Sequence, residues 1–236
     1  MTTNIISAMG KTNATAKQTT SIVQSAAKFT LMAGIGFLLL LFLLHFIKPE
    51  FDPSWHFISE YAIGENGWIM MIAFLLLAAG YVSLFVAIRS QISKGIWGRI
   101  GLALILISAT GLAIGGIFTT DPVTTANENL TISGVLHNLG GTLGMAMPFA
   151  ALLITLKLVK NPGWASAKKP LIWATVFALA GFIISFASLA AMLSKSNGTF
   201  GPDVLVGWPN RLEITGYVVW LITVAGQAIK LFNSKN

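Results

Sequence analysis

The side chains able to do acid, base or metal chemistry are few in this chain of 236 residues, which has three histidines, eight carboxylates and no cysteine. All of the histidines and carboxylates lie in or beside the segments that follow the first, third and fifth of six long apolar runs. The lack of cysteine excludes disulfides, thiolate metal sites and a cysteine nucleophile. Imidazole and carboxylate groups remain, and these serve general acid–base catalysis and metal binding.

The segment after the first apolar run holds a well-spaced set of polar residues. Asp52 followed by Pro53 predicts the start of a short helix, which would place Asp52, His56 and Glu60 on one face. His56 and Glu60 could then ligate a divalent metal or act as a base and its partner. A capped surface helix whose charges face water explains the same spacing, and we favour it over the metal site.

His137 stands out because it lies one turn inside an otherwise apolar run. Its ring nitrogens need partners there, and a hydrogen bond to Asp121, just after the preceding run, is the simplest expectation. A turn or cap residue before a proline explains Asp121 as well as this functional role does. Gly140, Gly141 and Gly144 follow His137 and leave room for a ligand.

Arg211 lies where the last apolar run begins. Asn210 and Glu213, three positions apart, predict a capping box at the start of a helix. Arg211 beside the positive end of that helix favours an anion, such as the phosphate of a lipid head group.

The elements that must position these residues are membrane helices. The chain is 55% hydrophobic and only 10% charged, whereas globular chains carry about 25% charged residues, so a soluble enzyme is excluded. A helix that spans a bilayer needs about 20 mainly apolar residues. Six segments satisfy this requirement and predict an all-α membrane protein, a compact bundle of six transmembrane helices. They cover approximately residues 29–47, 67–88, 100–118, 134–156, 170–193 and 212–231.

Charge predicts the topology of the bundle. Twelve of the fifteen Lys and Arg residues lie before the first span, after the second and fourth, or after the sixth, and short cytoplasmic loops are enriched in these residues. Both termini are therefore expected in the cytoplasm, and helices of this length predict the inner cell membrane rather than an outer-membrane barrel. The net charge of +7 follows from this bias and predicts no nucleic-acid partner.

Two further features concern the limits and packing of the bundle. Residues 1–27 are polar and without a sustained period, which predicts a disordered cytoplasmic tail before a transmembrane domain over 28–232. Pro148 should kink the fourth span. Small residues at four-residue spacing mark expected helix contacts: Gly111, Gly115, Gly140, Gly141, Gly144, Ala178, Gly181, Ser185, Ser188, Gly216 and Gly226.

With these residues set out, the chain resembles the family catalogued as domain of unknown function 998, over roughly residues 28–230. The resemblance rests on four short features in order: Ile58-Ser59-Glu60-Tyr61, the stretch GIFTTDP at 116–122, His137, and Arg211-Leu212-Glu213. It implies a multi-helix membrane protein with polar residues gathered at one face, and it brings no known reaction.

The leading functional hypothesis is a polar pocket at the extracytoplasmic face that hydrolyses or transfers part of a membrane lipid. His137 would be the base or a metal ligand with His56, and Asp121 would orient it. Glu60 and Ser59 would complete the catalytic set. Arg211 and Asn138 would bind substrate, with Arg211 holding an anionic lipid head group.

Two other function classes stay open at this point. A small-solute permease would need a polar path through the bundle, although no ionisable residue lies near the middle of any predicted span, as ion-coupled transporters usually require. A structural or partner-binding membrane protein would use the same acids and histidines only to join its loops by hydrogen bonds.

Overall fold

The computed structural model describes the backbone of residues 2–92 and 95–233, and the side chains of residues 21–92 and 95–233. Within those ranges the chain is helical and contains no β-strand. Three short 3₁₀ segments lie in the connections, at Ile58–Ala62, Asn127–Asn129 and Pro162–Ala167. The seven α-helices are α1 (Thr2–Ile47), α2 (Trp68–Ile88), α3 (Ile96–Ile117), α4 (Ile132–Gly144), α5 (Met147–Leu158), α6 (Lys168–Lys195) and α7 (Gly207–Asn233).

Six stretches of the described chain are long and apolar enough to cross a membrane, and α4 and α5 together form one of them. This confirms the predicted all-α architecture with six spans and makes the chain a multi-pass membrane protein. Three connections, residues 48–67, 118–131 and 196–206, meet at one end of the bundle, which we call the loop face.

The contacts between helices show where the bundle is closed and where it is open. α1 packs between α2 and α7, α3 packs on α2 and on both α4 and α5, and α6 packs on α7. In the described chain, α4 packs chiefly on α3 and makes no comparable contact with α6 or α7, whereas α5 does pack on α6. The bundle is therefore closed at the level of α5 and open beside α4.

Glycines bring two helix pairs into close contact, as predicted. A Cβ atom added at Gly111 would lie 2.4 Å from the Gly140 carbonyl oxygen, so α3 and α4 touch backbone to backbone. A Cβ at Gly216 would lie 3.0 Å from Ala178 Cα, which joins α7 to α6 in the same way. Gly141 and Gly226 were wrongly predicted as contact residues, because a Cβ at either position meets nothing within 4 Å.

The fourth span is broken rather than smoothly bent. α4 ends at Gly144 and α5 begins at Met147, with Pro148 in the first turn of α5. Proline has no N–H to donate and its fixed φ suits a helix start. The predicted distortion at Pro148 is confirmed, and it takes the form of two half-helices.

The predicted tail covers residues 1–27, most of which have no described side chain. The structure continues α1 back to Thr2, and the disorder expected of residues 1–20 stays a prediction. Residues 21–27 continue the helix of the first span, and Gln24 Nε2 donates to Asn233 Oδ1 of α7 at 2.8 Å. The packed domain therefore begins before residue 28.

Candidate functional site

A cavity of about 830 Å³ lies beneath the loop face, between α2, α3, α4 and α7. Its walls extend from Asp121 in the loops to Ser108, nine residues from the end of α3. At 1.5 Å of rise per residue, Ser108 lies about 13 Å below that helix end. The cavity thus reaches well into the membrane-spanning part of the bundle.

Five of the seven predicted site residues line this cavity: Ser59, Glu60, Asp121, His137 and Asn138. His56 and Arg211 do not line it. The structure therefore gathers most of the predicted set around one space, but the cation that was expected to bind an anionic head group lies outside that space.

Glu60 is almost completely buried, with 1% of its surface exposed. Its Oε2 accepts from the Phe57 N–H and its Oε1 accepts from the Val123 N–H, both at 2.9 Å. Phe57 and Val123 belong to different loops of the loop face. The carboxylate of Glu60 therefore joins two loops, and each of its oxygens already has a backbone donor.

The segment around His56 differs from the predicted helix. Residues 52–56 form only a turn, in which Asp52 Oδ1 accepts from the Ser54 N–H at 2.8 Å. That hydrogen bond lowers the pKa of Asp52 below its usual value, because it stabilises the charged carboxylate. His56 Nδ1 still lies 3.0 Å from Glu60 Oε2, although the contact lacks hydrogen-bond geometry. His56 and Glu60 therefore lie close together, as predicted, although residues 52–56 do not form the predicted helix.

The carboxylate of Asp121 accepts hydrogen bonds from the start of α4 and not from His137. Its Oδ2 accepts from the Thr131 N–H at 2.8 Å and its Oδ1 accepts from the Thr131 hydroxyl at 2.9 Å. The carboxylate also packs so closely on Gly134 that a Cβ there would lie 2.0 Å from Oδ2. The predicted hydrogen bond between Asp121 and His137 is wrong, because the positive end of α4 provides nearer donors for a carboxylate.

His137 is held by the end of α3. Its Nδ1 lies 2.8 Å from the Phe118 carbonyl oxygen, and its ring packs edge-on to Phe74. A carbonyl only accepts, so Nδ1 carries the proton and a neutral ring presents Nε2 as an acceptor. The carbonyl thus fixes the tautomer, which is the role expected of Asp121.

Arg211 lies in a separate, buried cluster beside the cavity. Its guanidinium donates to His45 Nε2 at 2.9 Å, to the Tyr61 hydroxyl at 2.9 Å, and to the carbonyl oxygens of His56 and Gly207 at 2.7 and 3.0 Å. Four of its five N–H groups are occupied in this way. Arg211 therefore ties α1, the first loop and α7 together.

Glu213 is the cavity residue that sequence reasoning missed. α7 begins at Gly207, so Glu213 lies almost two turns inside the helix, and the predicted capping box is wrong. Asn210 instead accepts from the Ile58 N–H at 3.2 Å. Glu213 Oε1 accepts from the Tyr217 hydroxyl at 2.7 Å, and Glu213 is 7% exposed. The available signal was an acid and a tyrosine four residues apart on one helix face.

Ser108 is a second cavity residue without a predicted role. It is fully buried in the middle of α3, and within residues 2–92 and 95–233 its hydroxyl has no hydrogen-bond partner. Buried hydroxyls are nearly always hydrogen-bonded. Ser108 therefore presents an unsatisfied polar atom where it lines the cavity.

The metal expected at His56 and His137 stays a prediction. Among the residues that the structure describes, no three His, Asp or Glu side chains come together in an arrangement that could hold a metal ion.

No curated protein and no solved structure matches the chain significantly. The sequence model of a family described as "Protein of unknown function (DUF998)" matches residues 31–227. The match spans α2 to α6, the part of α1 from residue 31 onward and most of α7, and so includes every helix that lines the cavity. This multi-pass membrane protein therefore belongs to the DUF998 family.

Proposed function

We propose that the protein binds a membrane lipid in the cavity and acts on its head group by hydrolysis or transfer. The observation that carries the proposal is a partly apolar cavity that contains His137 and Glu213 and opens beside α4. Ligand sites are typically apolar spaces with a few convergent polar groups. A lipid needs an apolar surface for its hydrocarbon chains and polar groups for its head group.

The side opening would admit the lipid from the bilayer. Asn138, Gly141 and Thr142 line the cavity and are nevertheless exposed at the surface of α4. Below them the gap closes where the rings of Phe149 and Phe182 pack 5.6 Å apart. An acyl chain could lie in this gap while its head group remains between the helices.

His137 is suited to move a proton in this reaction. Its Nε2 would take a proton from water as the water oxygen attacks the ester carbon or phosphorus. The resulting imidazolium would return that proton to the leaving oxygen. The Phe118 carbonyl supports this cycle, since it accepts from Nδ1–H in both the neutral and the charged ring.

The orientation we propose places the loop face outside the cytoplasm. The excess of Lys and Arg on the termini and on residues 89–99 and 157–169 supports this orientation. The cavity would then act on the extracytoplasmic leaflet of the cell membrane.

Lipid turnover by the purified protein tests the proposal. Wild type and the variants His137→Gln and Gly141→Leu are reconstituted into vesicles made from the total lipids of the source cell, and products are followed by mass spectrometry. His137→Gln should abolish product formation, because an amide cannot take the proton. Gly141→Leu should reduce it, because the new side chain enters open space in the cavity. Ser166→Ala, at the opposite end of the bundle, is the control.

Two outcomes would reject the enzymatic proposal. One is the absence of any product from folded wild-type protein, and the other is product formation that survives His137→Gln.

A small-solute permease is the second candidate, and the break between α4 and α5 favours it. Gly144 and Met145 at this break line the cavity, and transporters place discontinuous helices at their binding sites. Solute flux into the same vesicles, without lipid products, would select this candidate.

A further inference from the structure

We propose that the head group taken by the cavity carries an ammonium charge, which binds beside Glu213 while the hydrocarbon chain leaves between α4 and α6. This inference deepens the proposed function and rests on it for the site. It concerns binding, however, and is tested by binding alone.

The carboxylates that line the cavity give it a negative charge. Glu60, Asp121 and Glu213 line the cavity, and its lining, all within the described chain, contains no Lys or Arg. The donors to Glu60 and Asp121 are backbone N–H groups and the Thr131 hydroxyl, and His56 lies beside Glu60. Among the described residues, no Lys or Arg forms an ion pair with either carboxylate. An anionic head group would be repelled, and the cavity favours a cation.

Glu213 is the carboxylate that such a cation would reach. It lies within a membrane-spanning helix, and the partners of its side chain are the hydroxyls of Tyr217 and Ser185. An ionised carboxylate buried in a membrane costs free energy unless a cation accompanies it. An ammonium from the ligand would supply the missing charge.

The aromatic rings that line the cavity favour binding of an ammonium group over binding of a metal cation. Tyr81 and Tyr217 line the deeper part of the cavity, and Phe57 and Phe200, which line it at the loop face, pack 6.0 Å apart. Aromatic faces attract alkylammonium groups, and clusters of them are a common solution for binding choline-like cations.

Ser108 provides an independent indication that the cavity is a binding site. Its hydroxyl is completely buried, lines the deep end and lacks a partner within the described residues. Leaving a buried hydroxyl unsatisfied costs free energy. A polar atom of a bound head group would satisfy it.

The experiment compares three amphiphiles that share one chain and differ in head group: oleylamine, oleyl alcohol and oleate. Their binding to the purified full-length protein in dodecyl maltoside is measured by native mass spectrometry and by the rise in thermal unfolding temperature. We expect oleylamine to bind about tenfold more tightly than oleyl alcohol, as for one charge-assisted contact, and oleate to bind least.

Two matched variants locate the ammonium. Glu213→Gln should abolish the preference for oleylamine over oleyl alcohol, because it removes the charge and keeps the shape. Asp203→Asn removes one charge from the exposed surface of the loop face and should leave the preference unchanged. If Glu213→Gln does not fold, Ser108→Ala replaces it, and we expect weaker binding of oleylamine without loss of thermal stability in the ligand-free protein.

The outcomes separate this inference from the proposed function. Equal binding of oleylamine and oleyl alcohol, tighter binding of oleate, or a preference that survives Glu213→Gln with binding unaffected by Ser108→Ala would overturn the ammonium site. A preference that depends on Glu213 in a protein that forms no lipid products would retain the ammonium site and reject the enzyme. Failure of all three amphiphiles to bind would reject both.

Discussion

At the scale of single residues, the three carboxylates that line the cavity differ in their partners, since two accept backbone N–H groups and the third accepts from hydroxyls. Both oxygens of Glu60 accept backbone N–H groups, and Asp121 accepts both donors of Thr131. Glu213 has no backbone donor of this kind in the described chain, and Tyr217 is its nearest partner at 2.7 Å. Glu60 and Asp121 therefore join backbone segments of the loop face, whereas the partners of Glu213 are hydroxyls. The catalytic roles predicted for Glu60 and Asp121 stay predictions.

Glu60→Gln tests this division. The amide nitrogen would face one of the two buried N–H groups and leave it unsatisfied, so we expect the free energy of unfolding to fall by about 2 kcal/mol. Thermal unfolding in detergent measures the loss. Glu128→Gln, at an exposed position of the same face, should change stability by less than about 0.5 kcal/mol. Equal stability of the two variants would show that Glu60 does not join the loops.

At the scale of the helices, the position of α4 determines whether the cavity exists. Gly111 of α3 and Gly140 of α4 are in backbone contact, and this contact draws α4 toward α3 and away from α6. The break at residues 145–146 then returns the chain to the bundle as α5, which packs on α6. The side opening is a consequence of this path.

Gly111→Ala and Gly141→Ala form a matched pair that tests the path of α4. A Cβ at Gly111 would clash with the Gly140 carbonyl oxygen, so we expect Gly111→Ala to cost about 2 kcal/mol of stability. A Cβ at Gly141 meets nothing within 4 Å, so Gly141→Ala should be neutral or raise stability by up to about 1 kcal/mol. Unfolding temperatures in detergent distinguish the two, and an equal loss in both would place the α3–α4 contact elsewhere.

At the scale of the whole molecule, the distribution of charge makes the two ends of the bundle different. All eight carboxylates and all three histidines lie in or beside the loop face, and twelve of the fifteen Lys and Arg residues belong to the other end or to the termini. Since basic loops are retained in the cytoplasm, the loop face should be extracytoplasmic. The cavity, which lies beneath the loop face, would then belong to the extracytoplasmic half of the membrane.

The natural lack of cysteine allows a direct test of orientation. Glu128→Cys places one thiol on the loop face, and Lys160→Cys places one at the opposite end, both at exposed positions. We expect a membrane-impermeant maleimide to label Glu128→Cys in intact cells and Lys160→Cys only after permeabilisation. The reverse pattern would invert the topology and assign the cavity to the cytoplasmic leaflet.

The sequence by itself determined the six spans, the distortion at Pro148 and the concentration of polar residues at one end, because hydropathy, proline and charge act locally along the chain. It also selected five of the residues that line the cavity. Only the tertiary structure decided their partners. Asp121 accepts from Thr131, His137 hydrogen-bonds to the Phe118 carbonyl oxygen, and Arg211 lies in a separate cluster with His45. Hydrogen bonds form with the nearest available donor or acceptor, and in this protein helix packing sets which group is nearest. For the same reason the role of Glu213 became visible only when α7 was found to begin at Gly207 and to place this carboxylate inside the membrane-spanning bundle.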